Sequence, residues 1–178
     1  MRVYNNLILK NYIVAANYGV GLVKFVADGM LGKLTRWLRM LGCDIKYSSS
    51  LDDKQLIHIA KTEYRILLTR DIELYRQCTT QEVPSFVVKG ITEAEKLTNL
   101  AKRFNLNLEI DVTRSRCPKC NTKIKPILKD RAINKVPKRT FSTYEKFWEC
   151  SGCGQIYWQG AHWKRIKKTL SEARKMLN

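Results

Sequence analysis

The sequence predicts an α/β fold with a mainly parallel sheet flanked by helices, followed by a small cysteine-containing module and a basic C-terminal helix. Two observations carry this prediction. From residue 24 to about 105, short apolar runs alternate with segments of helical periodicity. Beyond that point the helical periodicity fades, positive charge rises and two C-x-x-C motifs appear. Successive strand–helix units favour parallel strands joined by right-handed crossovers, with helices on both faces of the sheet.

Each element of the sheet domain follows from its own local pattern. The apolar runs predict strands at Phe25–Ala27, Asp44–Tyr47, Arg65–Thr69 and Ser85–Val88. The periodic segments predict helices at Met30–Leu41, Lys54–Thr62, Ile72–Cys78 and Glu93–Phe104. Asp52 stands three residues before Gln55, and Thr92 stands three before Glu95, so a capping box is predicted at the start of two of these helices. A short basic helix is predicted from about Trp163 to Met176.

These patterns divide the chain into three parts. Residues 1–23 are expected to form an N-terminal arm or an added strand, residues 24–112 the α/β domain, and residues 113–178 the cysteine module with the basic helix. The first part is mildly apolar but lacks a clear cleavage site, which argues against a signal peptide. No segment is apolar for the ~20 residues that a membrane span needs. We therefore expect a cytoplasmic protein with no membrane partner.

The charge is large and unevenly distributed. The chain carries a net charge of +17. Residues 1–110 hold 16 Lys/Arg against 11 Asp/Glu, a net of +5, and residues 111–178 hold 17 against 5, a net of +12. A solvated basic face explains a few such charges, but an excess of this size favours a polyanion partner. RNA or DNA is favoured over a membrane because no amphipathic apolar stripe accompanies the charge.

The two C-x-x-C motifs predict a structural zinc site. CPKC and CSGC supply four thiols, Cys117, Cys120, Cys150 and Cys153, and four thiolates around one ion form the closed tetrahedral site that Zn²⁺ adopts. Disulfides are the main alternative, but paired C-x-x-C motifs in a chain without a leader fit a reducing compartment better. A redox role is less favoured because neither motif opens a helix beside a strand–helix unit. Cys43 and Cys78 are expected to pack as small apolar side chains.

Basic and aromatic side chains interleave within and around the cysteine module. Basic groups meet phosphates, and aromatic rings stack on unpaired bases, although a small metal module also needs aromatics for its core. On the first helix, Leu34, Trp37 and Leu38 share an apolar arc, and basic residues occupy the opposing arc. The residues expected to contact RNA are Lys33, Arg36, Arg39, Arg70, Lys123, Lys125, Lys138, Arg139, Lys164, Arg165, Lys167 and Lys168.

Acidic residues follow three of the four predicted strands. Asp28 follows the first strand, Asp52 and Asp53 follow the second, and Asp71 follows the third. Open α/β sheets bind their ligands at this carboxyl edge, and converging carboxylates repel one another unless a cation such as Mg²⁺ or Mn²⁺ neutralises them. Aspartate is also a preferred helix N-cap, so capping explains any one of these residues on its own. Thr92 fills the capping place in the fourth unit.

These residues resemble a known family. KFVADGMLGKLTRWLRMLGCD, the acid in LDDKQLIHIA and RILLTRD are similar to the PIN-like ribonucleases named after the C-terminal domain of the Mut-seven exonuclease. Their fused zinc ribbon is similar to the CPKC…TYEKFWECSGCGQIYWQGAHW region. The resemblance covers roughly residues 24–166 and implies a PIN-like fold and metal-dependent cleavage of RNA. By this resemblance the catalytic acids are Asp28, Asp53 and Asp71, with Thr69 beside the last, and Glu73 is the nearest candidate for a fourth acid.

Three functions follow from these observations. The leading one is a metal-dependent endoribonuclease, with Asp28, Asp53 and Asp71 holding Mg²⁺ or Mn²⁺ and the basic zinc ribbon gripping a structured RNA, tRNA or rRNA. The alternative is a non-catalytic RNA-binding factor, associated with tRNA or ribosomal particles. A third is a DNA-binding regulator built on the zinc ribbon, although no recognition-helix pattern is evident.

Overall fold

A parallel four-stranded sheet organises the first part of the chain in the computed structural model, which describes residues 23–177. Its strands lie in the order β2-β1-β3-β4, and they are β1 (Lys24–Ala27), β2 (Asp44–Tyr47), β3 (Ile66–Thr69) and β4 (Ser85–Val87). The helices that follow them are α1 (Gly32–Met40), α2 (Asp53–Thr62), α3 (Ile72–Thr80) and α4 (Glu93–Phe104). The predicted α/β architecture is confirmed. The expected N-terminal arm lies, apart from Val23, outside the described residues.

Helices cover both faces of this sheet. Phe25 and Ala27 of β1 belong to one buried cluster, which also contains apolar side chains of α1 and α4. Val26, between them, points to the other face and belongs to a second cluster with side chains of α2 and α3. Because successive side chains of a strand alternate between faces, a strand that is apolar at every position requires this two-sided burial. The apolar runs that predicted the strands reflect this arrangement.

Side-chain caps fix the start of the helices that follow the strands. Asp52 and Gln55 form a capping box at α2, and Thr92 and Glu95 form one at α4, as predicted. Asp71 caps α3. α1 is instead preceded by a short 3₁₀ turn, Gly29–Leu31. The caps place the beginning of each helix beside the carboxyl end of the preceding strand, which is the edge where the acids were expected.

The C-terminal part contains a small antiparallel sheet and a long helix. The sheet comprises β5 (Ile124–Ile127), β6 (Phe147–Cys150) and β7 (Ile156–Tyr157), and a short helix α5 (Lys138–Thr143) precedes β6. We call this sheet with its two C-x-x-C turns the ribbon. The helix α6 (His162–Lys175) then returns to the α/β domain, where Leu170 and Ala173 join the cluster that contains α4. No helix within residues 23–177 has the length and apolarity required to traverse a bilayer.

Arg39 attaches the ribbon to the sheet domain. Its side chain is buried, and its guanidinium donates to the backbone oxygens of Ile45 at 3.0 and 3.2 Å, Pro118 at 3.0 Å and Lys119 at 3.1 Å. The expectation that Arg39 shares a solvent-exposed surface with Arg36 is therefore wrong. Helical periodicity assigned Arg39 to the polar arc correctly, but the first C-x-x-C turn covers this end of the arc.

Asn121 and Arg116 extend this attachment along the exposed edge of β2. The Asn121 carboxamide accepts from the Ile45 backbone N–H at 3.2 Å and donates to Asp44 Oδ1 at 2.9 Å. Arg116 Nη2 lies 3.6 Å from Asp44 Oδ2. An uncovered edge strand presents unpaired backbone groups, and the segment around the first C-x-x-C turn satisfies them here.

Candidate metal centres and nucleic-acid surface

The four predicted zinc ligands come together in the ribbon. The sulfur atoms of Cys117, Cys120, Cys150 and Cys153 all lie within 4.8 Å of one another. Cys117 and Cys153 Sγ are 3.6 Å apart, and Cys120 and Cys150 Sγ are 3.3 Å apart. Zn–S bonds of about 2.3 Å in a tetrahedron place sulfurs about 3.8 Å apart. The donor set and its spacing therefore fit a closed zinc site, and these four cysteines can hold the ion.

Neighbouring groups shape the electrostatics of this cluster. The Thr122 hydroxyl lowers the pKa of Cys120 to about 6, whereas burial raises the pKa of Cys150 to about 12. The Tyr157 hydroxyl lies 3.0 Å from Cys117 Sγ. Hydrogen bonds to ligand atoms orient the ligands and tune the metal. Tyr157 was not singled out from the sequence as a partner of a zinc ligand, because its place opposite Cys117 depends on the pairing of β6 with β7.

Thr69 links two of the predicted acids. Its hydroxyl donates to Asp28 Oδ2 at 2.7 Å and accepts from the Asp71 backbone N–H at 2.9 Å. The Asp28 backbone N–H in turn donates to the Leu68 carbonyl at 3.0 Å. Thr69 is fully buried at the end of β3, beside the end of β1. The loops that carry Asp28 and Asp71 are therefore held in a fixed relation to each other.

Asp52 and Asp53 are adjacent in sequence but have different surroundings. Asp52 is occupied by its capping box, accepting from the Gln55 backbone N–H at 2.8 Å. Asp53 lies exposed at the first position of α2. Partial desolvation raises its pKa above the ordinary value for aspartate, and the charges of Asp71, Asp28 and Asp52 raise it further. Asp53 is thus close enough to Asp28 and Asp71 to feel their charges.

We refer to Asp28, Asp53 and Asp71 as the carboxylate edge. Each is contributed by a different strand–helix junction, and both Asp28 and Asp71 also cap the turn or helix that follows. Within residues 23–177, the four cysteines are the group whose possible ligand atoms are already close enough together to hold a metal ion, and the three carboxylates do not form a second such group. Carboxylate oxygens with unrelieved mutual repulsion suit a hard divalent cation such as Mg²⁺ or Mn²⁺, which completes its coordination with water and substrate phosphate.

Glu73 lies near this edge but is directed to other partners. Its carboxylate is 3.4 Å from Arg76 Nη1, and both side chains are largely exposed. Its backbone N–H donates to Asp71 Oδ1 at 2.6 Å. Glu73 is not among the charges that raise the pKa of Asp53. The arrangement therefore gives Glu73 a role in the cap of α3 and no observed part in the carboxylate edge.

Tyr47 supports the loop after Asp28 and was not identified from the sequence. Its hydroxyl, at the end of β2, donates to the Gly29 carbonyl at 3.0 Å. A methyl group on Gly32 would lie 2.4 Å from the Tyr47 hydroxyl oxygen. Glycine at this position is therefore required for the contact, and the glycine spacing in DGMLG was the available sequence signal.

Exposed cations lie on α1, directly after β3, on the ribbon and on α6. Arg39 is the exception described above. The other eleven side chains expected to contact RNA are exposed, and none of them forms an ion pair within the described part of the chain: Lys33, Arg36, Arg70, Lys123, Lys125, Lys138, Arg139, Lys164, Arg165, Lys167 and Lys168. Unpaired exposed cations at this density create a positive potential that attracts polyanions.

Comparison with protein families identifies the chain. The family model described as the Mut7-C RNAse domain matches residues 23–170, a span that includes the carboxylate edge and all four clustered cysteines. Comparisons with curated proteins and with solved structures gave no match. The matched family points to a ribonuclease, and the four-cysteine cluster supports the fused zinc ribbon. The chain therefore belongs to the Mut7-C RNAse domain family.

Proposed function

We propose that the protein is an endoribonuclease that cleaves RNA phosphodiester bonds at the carboxylate edge with Mg²⁺ or Mn²⁺. The observation that carries the proposal is the placement of three acids from three separate strand–helix junctions at one edge of the sheet, where Thr69 binds both Asp28 Oδ2 and the Asp71 backbone N–H. Desolvation and the charges of Asp71 and Asp28 raise the pKa of Asp53 at the same edge. Mutual repulsion of this kind costs stability unless a ligand offsets it. Carboxylates that converge at the ligand-binding edge of an α/β sheet, one of them with a raised pKa, are typical of a functional site.

Each residue at the carboxylate edge would have a separate role in the reaction. Asp28, Asp53 and Asp71 would hold the divalent ion, which when bound supplies activation of water and neutralisation of phosphate charge. Thr69 would fix the orientation of Asp28 through the 2.7 Å hydrogen bond. Asp53 must be ionised to act as a ligand, so its raised pKa predicts that activity declines on acidification at a higher pH than for an ordinary aspartate.

We further propose that residues 24–112 form the nuclease domain and that residues 113–178 grip the RNA. Exposed lysines and arginines on α1, the ribbon and α6 would contact phosphates, with Arg39 excluded from this set because it is buried. Each neutralised phosphate releases counterions, so affinity for RNA should fall steeply as salt rises. Zn²⁺ at the four cysteines would maintain the ribbon without taking part in the chemistry.

Asp53→Asn and Asp52→Asn form a matched pair for testing the nuclease. Both remove one negative charge, and asparagine at position 52 keeps the capacity to cap α2. In a cleavage assay on end-labelled structured RNA with Mn²⁺, Asp53→Asn is expected to reduce the rate by about 100-fold or more, equivalent to roughly 3 kcal/mol. Asp52→Asn is expected to retain most activity. Equal rates for wild type and Asp53→Asn would reject Asp53 as a metal ligand.

A non-catalytic RNA-binding factor is the second candidate. The capping of a turn by Asp28 and of a helix by Asp71 favours it, since those contacts already give both residues a structural role. This candidate predicts tight, salt-sensitive RNA binding by wild type with no cleavage at any Mg²⁺ or Mn²⁺ concentration. Mn²⁺-dependent cleavage that is lost in Asp53→Asn would exclude it.

A further inference from the structure

An aromatic groove lies between the ribbon and the start of α6. Its volume is about 740 Å³, and its walls include four aromatic side chains, Tyr144, Tyr157, Trp158 and Trp163, together with Arg139 and His162. The ribbon core proper consists of Ala132, Phe147 and Ile156, against which Tyr144 and Trp158 are only partly buried. These two rings therefore keep accessible surface on the groove side.

The charge at the groove is unfavourable without an anion. α6 begins at the groove with no side-chain cap and no acid in its first turn, which instead carries His162, Lys164 and Arg165. Cations at a helix N-terminus are unfavourable because they oppose the positive end of the helix dipole. Arg139 adds a further exposed cation on the opposite wall. A bound phosphate would relieve this repulsion.

The indole N–H of Trp163 is a separate feature of the groove, because it is a buried donor without a hydrogen-bond acceptor among the described residues. A buried donor without an acceptor is destabilising, and such groups are uncommon in folded proteins. Trp163 lines the groove. Trp163 Nε1 is therefore a donor at the groove wall for which the described residues supply no acceptor.

The groove continues towards the carboxylate edge. Gln155 and Tyr157 line the groove and also a second cleft of about 410 Å³ between α1 and the first C-x-x-C turn. That cleft is bounded at its other end by Gly32 and Tyr47, and the Tyr47 hydroxyl binds the carbonyl of Gly29, the residue after Asp28. Arg36 and Lys119 also line the cleft. The groove and the cleft therefore adjoin, and the cleft ends beside the loop that follows Asp28.

We propose that the aromatic groove binds an unpaired nucleotide of the RNA substrate, with the base stacked on Trp158 and Tyr144 and a neighbouring phosphate at Arg139 and the N-terminus of α6. Flat aromatic faces bind any base, and the adjacent cations select a chain with phosphates at regular intervals. The single strand then runs through the cleft to the carboxylate edge. This inference rests on the proposed ribonuclease function and assigns the groove as its substrate-positioning site.

The test separates base stacking from charge. Full-length Asp53→Asn protein, which should cut at least about 100-fold more slowly than wild type, is titrated in the absence of Mg²⁺ and Mn²⁺ into a fluorescein-labelled 12-nucleotide oligoadenylate and into an abasic strand with the same number of phosphates. Trp158→Ala in this background is expected to weaken oligoadenylate binding by about 5- to 100-fold, because stacking of one base contributes roughly this factor. Trp158→Phe should retain most of the affinity. The abasic strand should bind weakly to the parent and show no further loss with Trp158→Ala.

A second pair of variants tests whether a cation of the groove contributes to RNA binding. Arg139→Ala should weaken binding more than Arg131→Ala, since both remove an exposed cation but only Arg139 lines the groove. Zinc content of each variant reports whether the ribbon has folded. If folded Trp158→Ala binds oligoadenylate as the parent does, or if it loses affinity equally for the abasic strand, the groove is not a base site.

Tryptophan fluorescence gives a second measurement that needs no destabilising change. Trp158 and Trp163 line the groove, whereas Trp37 and Trp148 are 9% and 8% exposed. Oligoadenylate should quench the emission of the parent strongly and that of Trp158→Phe much less, and the abasic strand should quench neither. Equal quenching by both strands would overturn the proposal. If Asp53→Asn binds oligoadenylate better than the abasic strand but wild type cleaves no RNA, the nuclease proposal is rejected. The proposal that the groove binds a base is then retained.

Discussion

Asp52 and Asp53 show how neighbouring residues of one type acquire different properties. Asp52 accepts a backbone hydrogen bond at 2.8 Å and begins a helix. Asp53, one residue later, lies among like charges, which together with desolvation raise its pKa. The sequence identified the pair but did not by itself separate the two residues, because both follow the same strand. The choice of Asp53 depended on resemblance to a family.

The raised pKa of Asp53 predicts that the residue destabilises the metal-free fold. An acid whose pKa is higher in the folded state than in the unfolded state disfavours folding above that pKa, and the effect vanishes when the acid is protonated. Asp53→Asn should therefore raise the melting temperature at pH 7 in the absence of divalent cations, while Asp52→Asn should not. Thermal unfolding followed by circular dichroism measures this difference. A lower melting temperature for Asp53→Asn would contradict the repulsion.

Tyr157 is expected to strengthen zinc binding through its contact with Cys117. The hydroxyl lies 3.0 Å from Cys117 Sγ, and loss of such an outer contact typically weakens metal affinity by about 10- to 100-fold. Tyr157→Phe should therefore release zinc to a competing chromophoric chelator at a lower chelator concentration than wild type. Tyr144→Phe, which removes a hydroxyl from the same groove, is the control and should behave as wild type. Equal zinc affinity in Tyr157→Phe and wild type would show that the Tyr157 hydroxyl does not contribute to zinc binding.

At the scale of elements, the strands and helices of residues 24–104 were largely predictable. Strands buried on both faces appear as short apolar runs, and the capping boxes at Asp52 and Thr92 located two helix starts. The ribbon was predictable only through its cysteines. Its strands are two to four residues long, and their pairing depends on the metal-binding turns rather than on a local apolar pattern.

Arg39 is an example of an element contact that local sequence cannot reveal. A side chain on the polar arc of a helix is normally solvated, and the partners of Arg39 at residues 118 and 119 are 79 and 80 positions away. Its role depends on which module packs against the end of α1. In an isolated helix the same side chain would be solvent-exposed, as Arg36 is here.

Replacing Arg39 is expected to destabilise the attachment of the ribbon to β2. Arg39→Ala leaves the backbone carbonyls of Ile45, Pro118 and Lys119 without their donor. This loss should lower the free energy of unfolding by about 2–4 kcal/mol. Arg39→Lys should recover little, because an ammonium group lacks the planar fork that reaches three carbonyls. Urea unfolding in excess zinc measures the loss. Arg36 is exposed and lies one turn earlier, so the free energy of unfolding of Arg36→Ala should stay within about 0.5 kcal/mol of the wild-type value. A similar loss of stability in both variants would show that Arg39 does not attach the ribbon.

At the scale of the whole molecule, the zinc cluster and the sheet share one edge. The segment that begins at Cys117 supplies the acceptor for the Ile45 N–H and the carbonyls that bind Arg39. Zinc removal should therefore affect β2 as well as the ribbon. The net charge of +12 in residues 111–178 is then carried by a module fixed to the α/β domain, so its cations have defined positions relative to the carboxylate edge.

Hydrogen exchange with and without zinc tests this coupling. Chelation should increase exchange in β5–β7 and also at Ile45 in β2, whose N–H donates to Asn121 Oδ1 at 3.2 Å. The backbone of β4, at the opposite edge of the sheet, is the internal control and should keep its protection. Unchanged exchange at Ile45 after complete zinc removal would mean that the ribbon and the sheet are independent.

The central claim is that the carboxylate edge holds a divalent cation that is required for RNA cleavage. The most direct measurement is the single-turnover cleavage rate of one end-labelled RNA as a function of Mn²⁺ concentration, for wild type and Asp71→Asn, after dialysis into metal-free buffer with zinc content verified. Asparagine can still cap α3, so the fold around position 71 should persist. We expect a saturable Mn²⁺ dependence in wild type and a rate at least about 100-fold lower in Asp71→Asn. Cleavage that is independent of Mn²⁺, or equal in the two proteins, would contradict the claim.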